Sequence, residues 1–107
     1  AASLVHLECA RLLIEEGAGV GAVDDNGCTA LMLATDRLEC ARLLLEKGTD
    51  VNAVDAQGCS ALMHAAINGH LDCARLLIKK GADVNAVDER GCTALVHAAE
   101  KGKTECV

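Results

Sequence analysis

Apolar and polar positions follow two rhythms that recur along the chain. Leu71 to Lys80 places apolar residues on three sides of a helical projection and Asp72 and Arg75 on the fourth, which predicts a helix with one wet face. Ahead of it, Ala61–Ile67 is a shorter Ala- and Leu-rich run. Ser60 precedes that run with a hydroxyl suited to capping a helix start, and Asn68-Gly69 breaks it. Gly81 stands where a helix C-terminus favours a left-handed residue. From Asp83 to Gly91 the helical period is lost, and the segment reads as an extended arm returning through a turn. Helix, turn, helix and hairpin make one unit.

The unit repeats. LECARLLIEEGAGV from Leu7, LECARLLLEKGTDV from Leu38 and LDCARLLIKKGADV from Leu71 are copies offset by 31 and then 33 residues. DDNGCTALMLA from Asp24, DAQGCSALMHA from Asp55 and DERGCTALVHA from Asp88 share the same offsets. In phase, the chain reads as one repeat domain over 1–107. A partial unit covers 1–23, full units cover 24–54 and 55–87, and a second partial unit covers 88–107. The 24–54 unit is two residues short between its helices: Ala34-Thr35-Asp36-Arg37 stands where the next unit has Ala65-Ala66-Ile67-Asn68-Gly69-His70. A shortened or tilted first helix is expected there. Val107 is expected to lie one turn into a second helix, and Ala1–Val5 lacks a hairpin and most of a first helix.

The pattern D-x-x-G-x-T-A-L-x-x-A-A-x-x-G-H-L-x-x-x-x-L-L-x-x-G-A-D-V-N-A-x, complete at Asp55–Val87 apart from Ser60 for Thr, resembles the ankyrin repeat, and the likeness spans the chain. It implies an all-α solenoid of stacked helix-turn-helix pairs with β-hairpin finger loops, whose concave face binds a protein or peptide. The family's T-P-L-H is here T-A-L-M or T-A-L-V, with His64 and His97 one place later than the usual histidine. The customary Thr–His hydrogen bond is therefore not expected.

Composition narrows the partners. No Phe, Tyr, Trp or Pro occurs among 107 residues of which 51% are apolar, so the core is aliphatic and base stacking or an aromatic cage is excluded. A net charge of -6 opposes nucleic-acid binding. Charges interrupt every apolar run well short of the roughly 18 to 20 residues that cross a bilayer, so no membrane insertion is expected. The N-terminal residues carry no secretory pattern. Seven cysteines, an odd number without a CxxC pair, suit a reducing compartment, cytoplasmic or nuclear.

The cysteines fall into two registers. Cys9, Cys40, Cys73 and Cys106 share a second-helix position, and Cys28, Cys59 and Cys92 follow the hairpin glycine. Equivalent atoms in stacked helices lie roughly 8–10 Å apart, beyond the about 7 Å between Cα atoms that a disulfide tolerates. All seven are expected to be reduced, the second-helix set buried and the post-glycine set partly exposed. The same spacing keeps His64 and His97 from sharing a metal, and no Asp or Cys completes a shell by chain spacing; each histidine is read as a hydrogen-bonded packing residue. His70 and its repeat mate His6 are read as structural residues at a helix start. Gly17-Ala18-Gly19-Val20-Gly21 follows a helix instead of opening one, so it is no phosphate loop. With no nucleophile–base set, neither an enzyme, a cofactor nor a small-molecule substrate is expected.

Carried over from the family, the groove positions are Val23, Asp25, Asn26 and Cys28; Val54, Ala56, Gln57, Cys59, Ile67 and Asn68; and Val87, Glu89, Arg90, Cys92, Glu100 and Lys101. Val and Cys recur there while the tips vary, an apolar strip with a polar rim. The β-branched valines would equally suit an extended arm without any partner. Glu8/Arg11, Glu39/Arg42 and Asp72/Arg75 are expected to pair on the convex back. Asn52 and Asn85, each eight residues after a Leu (Leu44, Leu77), resemble the asparagines hydroxylated in ankyrin repeats. The expected function is a non-catalytic protein-interaction module, monomeric apart from apolar ends open to self-association. The alternative is a regulatory or spacer array packed within a larger enzyme, channel or scaffold.

Overall fold

The computed structural model describes residues 2–17 and 19–105, with side chains for 7–17 and 19–102. Six helices are present among the described residues: α1 (Ala2–Glu15), α2 (Ala30–Leu33), α3 (Leu38–Glu46), α4 (Ala61–Asn68), α5 (Leu71–Lys79) and α6 (Ala94–Glu105). α2 packs on α3 and α4 on α5 within units, α2–α4–α6 stack as one layer, and α1–α3–α5 stack as the other. The molecule measures 43 × 28 × 26 Å. Between the layers lies an aliphatic core that includes Leu31, Met32, Ala41, Leu44, Leu62, Ala65, Cys73 and Leu77. Alanines on facing helices are what allow such close stacking.

The cap residues act as the sequence predicts. The Thr29, Ser60 and Thr93 hydroxyls each accept from the backbone N–H three residues on, at 3.3 Å. Each such cap contributes about 1 kcal/mol. Gly69, at φ 72°, ends α4 in the left-handed region, and His70 N–H returns to Ala65 O at 2.9 Å, so the chain reverses into α5. The His70 ring then reaches back to Thr35 of the preceding unit, with Nδ1 3.4 Å from Oγ1.

The two-residue deletion shortens the first helix of its unit, as expected: α2 has four residues where α4 has eight. Two expectations about the partial units fail. α1 runs unbroken from Ala2 to Glu15, through Val5-His6 where the 55–87 unit has the Gly69-His70 turn, because no glycine is there to take the left-handed conformation. His6 therefore does not open a helix. α6 likewise continues through Gly102 to Glu105, so the turn expected after the first helix of the last unit does not form. Gly102 does not take the left-handed conformation with which its repeat mate Gly69 ends α4, so the helix runs on through it.

Candidate functional site

The fingers are built around three aspartates. Oδ1 of Asp55 accepts from the N–H groups of Gln57 and Cys59, both at 2.9 Å, while Asp55 N–H bonds to Cys59 O at 2.9 Å. Asp24 and Asp88 repeat this pattern with Asn26 and Cys28, and with Arg90 and Cys92. Successive fingers join at their tips, Ala56 N–H to Asn26 O at 2.9 Å and Glu89 N–H to Gln57 O at 3.0 Å. One loop further back, Asn52 bridges repeats: its Oδ1 accepts from Asp83 N–H at 2.8 Å and its Nδ2 donates to Gly81 O at 3.3 Å.

The second oxygen of Asp55 and of Asp88 meets a histidine. His64 Nε2–H donates to Asp55 Oδ2 at 3.0 Å, and His97 Nε2–H to Asp88 Oδ2 at 2.9 Å. These are the packing histidines expected from sequence, bonded to the finger aspartate nine residues upstream, where the family's own histidine position is held by Met63 and Val96. In the 24–54 unit Leu33 occupies the same place, so Asp24 has no such partner among the described residues.

What chain spacing did not reveal is the third member. The post-glycine cysteine of the preceding unit faces each Asp–His pair: Cys28 with Asp55 and His64, and Cys59 with Asp88 and His97, each set bringing its ligand atoms within 4.8 Å of one another. Cys59 S–H points at Asp88 Oδ2 at 3.9 Å. Chain spacing alone completes no shell around these histidines, as read from the sequence, but stacking supplies an Asp and a Cys that spacing cannot show. The signal was present as the common recurrence of Cys, Asp and His in one repeat frame.

Electrostatics sets the state of these groups. Desolvation pushes the Asp55 carboxyl upward, but the Cys59 and Gln57 N–H groups and His64 outweigh it and hold it below its ordinary range. The Asp88 carboxyl is lowered chiefly by the Cys92 N–H, with help from His97 and Arg90. Burial, then the Asp55 and Asp88 carboxylates, pushes the Cys59 thiol up; burial, then Asp24 and Asp55, does the same for Cys28. In a thiol nucleophile the imidazole stands between sulfur and carboxylate. Here the carboxylate stands between sulfur and imidazole, so the imidazole is spent on Asp and the thiol stays protonated.

The carried-over groove residues divide by burial. Val23, Val54 and Val87 are 58%, 51% and 56% exposed, a ladder of apolar side chains along the fingers. Asp25, Asn26, Ala56, Gln57, Asn68, Glu89, Arg90, Glu100 and Lys101 are also exposed, and Cys28, Ile67 and Cys92 are half-buried. Cys59 is 7% exposed, so it does not belong to the surface. Gln57, Cys59, Asp88, Glu89 and Arg90 line one cleft between neighbouring fingers.

The second-helix cysteines depart from expectation in a graded way. Cys73 is buried, Cys40 half-buried and Cys9 exposed, following how much of the stack covers each; Cys106 lies outside the described residues. The six described cysteines are free thiols. On the back, Glu39–Arg42 pair at 2.8 Å and Glu8–Arg11 at 4.0 Å, whereas Asp72 and Arg75 form no ion pair among the described residues. No described helix is long and apolar enough to cross a membrane.

The geometry of capped helix pairs, stacked layers and aspartate-centred fingers has a counterpart in the comparisons. No curated protein matches the chain. The family model described as ankyrin repeats (3 copies) matches residues 1–55 and 48–107. The chain therefore belongs to the ankyrin repeat family.

Proposed function

We propose that the chain binds a partner protein or peptide along its fingers, with Val23, Val54 and Val87 as the apolar strip and Asp25, Gln57, Glu89 and Arg90 as the residues that choose the partner. Ankyrin repeats are in general protein–protein interaction modules without catalysis of their own. The observation that carries the reading is the valine ladder: three repeat-equivalent residues, each more than half exposed, whereas the other exposed large apolar residues are partly or fully covered, or replaced by a polar residue, in at least one other described copy of the unit. The valines suit an extended arm, yet that preference does not account for variation at the neighbouring tips. Energy in such interfaces concentrates in a few central contacts, and Val54 is the middle rung.

Val54→Arg should lower affinity for captured partners by about tenfold or more, since it places an unpaired cation in a contact that must lose water. Arg42→Glu on the opposite face should leave capture unchanged. The measurement is quantitative capture from cell extract with both variants side by side, each first shown to melt like the parent. Loss of partners by Arg42→Glu with retention by Val54→Arg would favour the second reading, a spacer array packed against another domain.

The reading includes a reducing compartment, cytoplasmic or nuclear, which suits free thiols. Asn52 and Asn85 are the proposed hydroxylation acceptors. Asn52 would have to release Gly81 and Asp83 to enter an enzyme, whereas the Asn85 side chain is exposed and is the easier target.

A further inference from the structure

Two Cys–Asp–His sets recur at the junctions between units, and both contain chemically complementary metal ligands: a sulfur, a carboxylate oxygen and an imidazole nitrogen. We propose that Cys59, Asp88 and His97 form a zinc-class metal site that staples one finger to the next unit, with Cys28, Asp55 and His64 as a more open copy.

Distances favour this. Tetrahedral zinc with bonds near 2.0 Å to N and O and 2.3 Å to S spaces its ligand atoms about 3.3–3.5 Å apart. Asp88 Oδ2 lies 2.9 Å from His97 Nε2 and 3.9 Å from Cys59 Sγ, and all three ligand atoms lie within 4.8 Å of one another, so side-chain adjustments of up to about 1 Å bring the set to tetrahedral spacing. The supporting shell is in place too. Asp88 Oδ1 is held by the Arg90 and Cys92 N–H groups, which fixes the carboxylate while Oδ2 faces the other two ligands. All three residues are buried; the Asp88 and His97 side chains are 3% and 8% exposed. The copy is looser, with His64 25% exposed.

The charges also balance. On binding, the Cys59 thiol gives its proton to solvent, the neutral imidazole of His97 carries its proton on Nδ1, and Asp88 stays ionised, so one divalent cation meets two anions. The resulting site is neutral, which a buried location requires. The cleft lined by Gln57, Glu89 and Arg90 gives water access to the fourth position. Since Cys59 belongs to one unit and Asp88 and His97 to the next, the ion would hold a closed interval of the chain together. The site is independent of the partner-binding reading, and either can fail alone.

Cobalt(II) titration of the reduced full chain tests it, read by the thiolate-to-cobalt charge-transfer band and the intense visible bands of a tetrahedral ion. The expected result is one tight ion, displaced by zinc, whose affinity falls by about 100-fold in Cys59→Ala, at least the loss seen when supporting residues alone are removed. Cys59→Ser serves in the same role if the alanine variant does not fold. Zinc should raise the melting temperature of the parent by more than that of the cysteine variant, which keeps only the open copy. A cobalt spectrum without a thiolate band overturns the proposal, as does a band undiminished by loss of Cys59, which would assign the metal to other thiols.

Discussion

At the level of single residues, most buried polar atoms satisfy one another, and one does not. Thr49 is 8% exposed and its Oγ1 has no hydrogen-bond partner among the described residues. Its repeat mate is Ala82, packed at the edge of the same core. A buried unsatisfied hydroxyl costs about 1–3 kcal/mol, against which the lost methyl of threonine weighs about 0.8 kcal/mol. Thr49→Ala should therefore be neutral or stabilising by up to roughly 1 kcal/mol, measured as a shift in the urea midpoint at unchanged slope. A clear loss of stability would mean that the hydroxyl is hydrated. The aspartates show the opposite economy: Asp55 and Asp88 each use one oxygen for two backbone N–H groups and the other for a histidine.

At the level of elements, the fingers are held less by ladder pairing than by tight approach, since among the described residues their bridges are the isolated pairs Val23–Thr29 and Val54–Ser60. Gly58 sits at φ 81°, and a Cβ there would stand 3.0 Å from the backbone nitrogen of Glu89 in the next finger. Gly91 has nearly the same conformation, φ 79°, but nothing within 4 Å of its Cβ position. Both alanine substitutions incur the left-handed penalty of about 1–2 kcal/mol. Only Gly58→Ala also displaces a neighbouring backbone and strains the Glu89–Gln57 hydrogen bond. Gly58→Ala should thus cost more than Gly91→Ala, by about 1 kcal/mol or more. Equal losses in paired denaturant curves would show that the fingers move apart freely.

At the scale of the whole molecule, the stack leaves apolar surface at both of its ends. Leu12 and Leu13 on α1 are 57% and 60% exposed, and Leu95 on α6 is 76% exposed. A linear array gains stability from each interface between units, and about three units are needed before the sum is comfortable. The chain should melt below roughly 65 °C, the upper end of the usual range for small domains. Its melting temperature should also fall in acid. The folded carboxyls of Asp55 and Asp88 are held below their unfolded values, so their stabilisation is present above the ordinary carboxylate pKa of about 3.9 and is lost as pH falls through the folded values. Thermal scans between neutral pH and pH of about 3 check both statements; a midpoint insensitive to acid would mean that the hydrogen bonds to the Asp55 and Asp88 carboxylates add nothing to the stack.

Sequence by itself determined the repeating unit, its register, the capped helix starts, the short α2 and the aliphatic core, because these depend on contacts within a few residues or on a period that the chain displays openly. It also placed the valines on the fingers, where they are exposed. Tertiary structure decided the rest. Gly69 and its repeat mate Gly102 take different roles, one ending α4 and the other lying within α6, which the shared repeat position does not foretell. The burial of Cys59 and the exposure of Cys9 depend on how many neighbours cover each rung, which identical local sequences cannot tell. The Cys–Asp–His groupings arise only when the finger of one unit is laid against the first helix of the next, joining residues such as Cys59 and Asp88 that stand 29 positions apart. Contacts of that kind belong to the stacking of units, and no single unit encodes them alone.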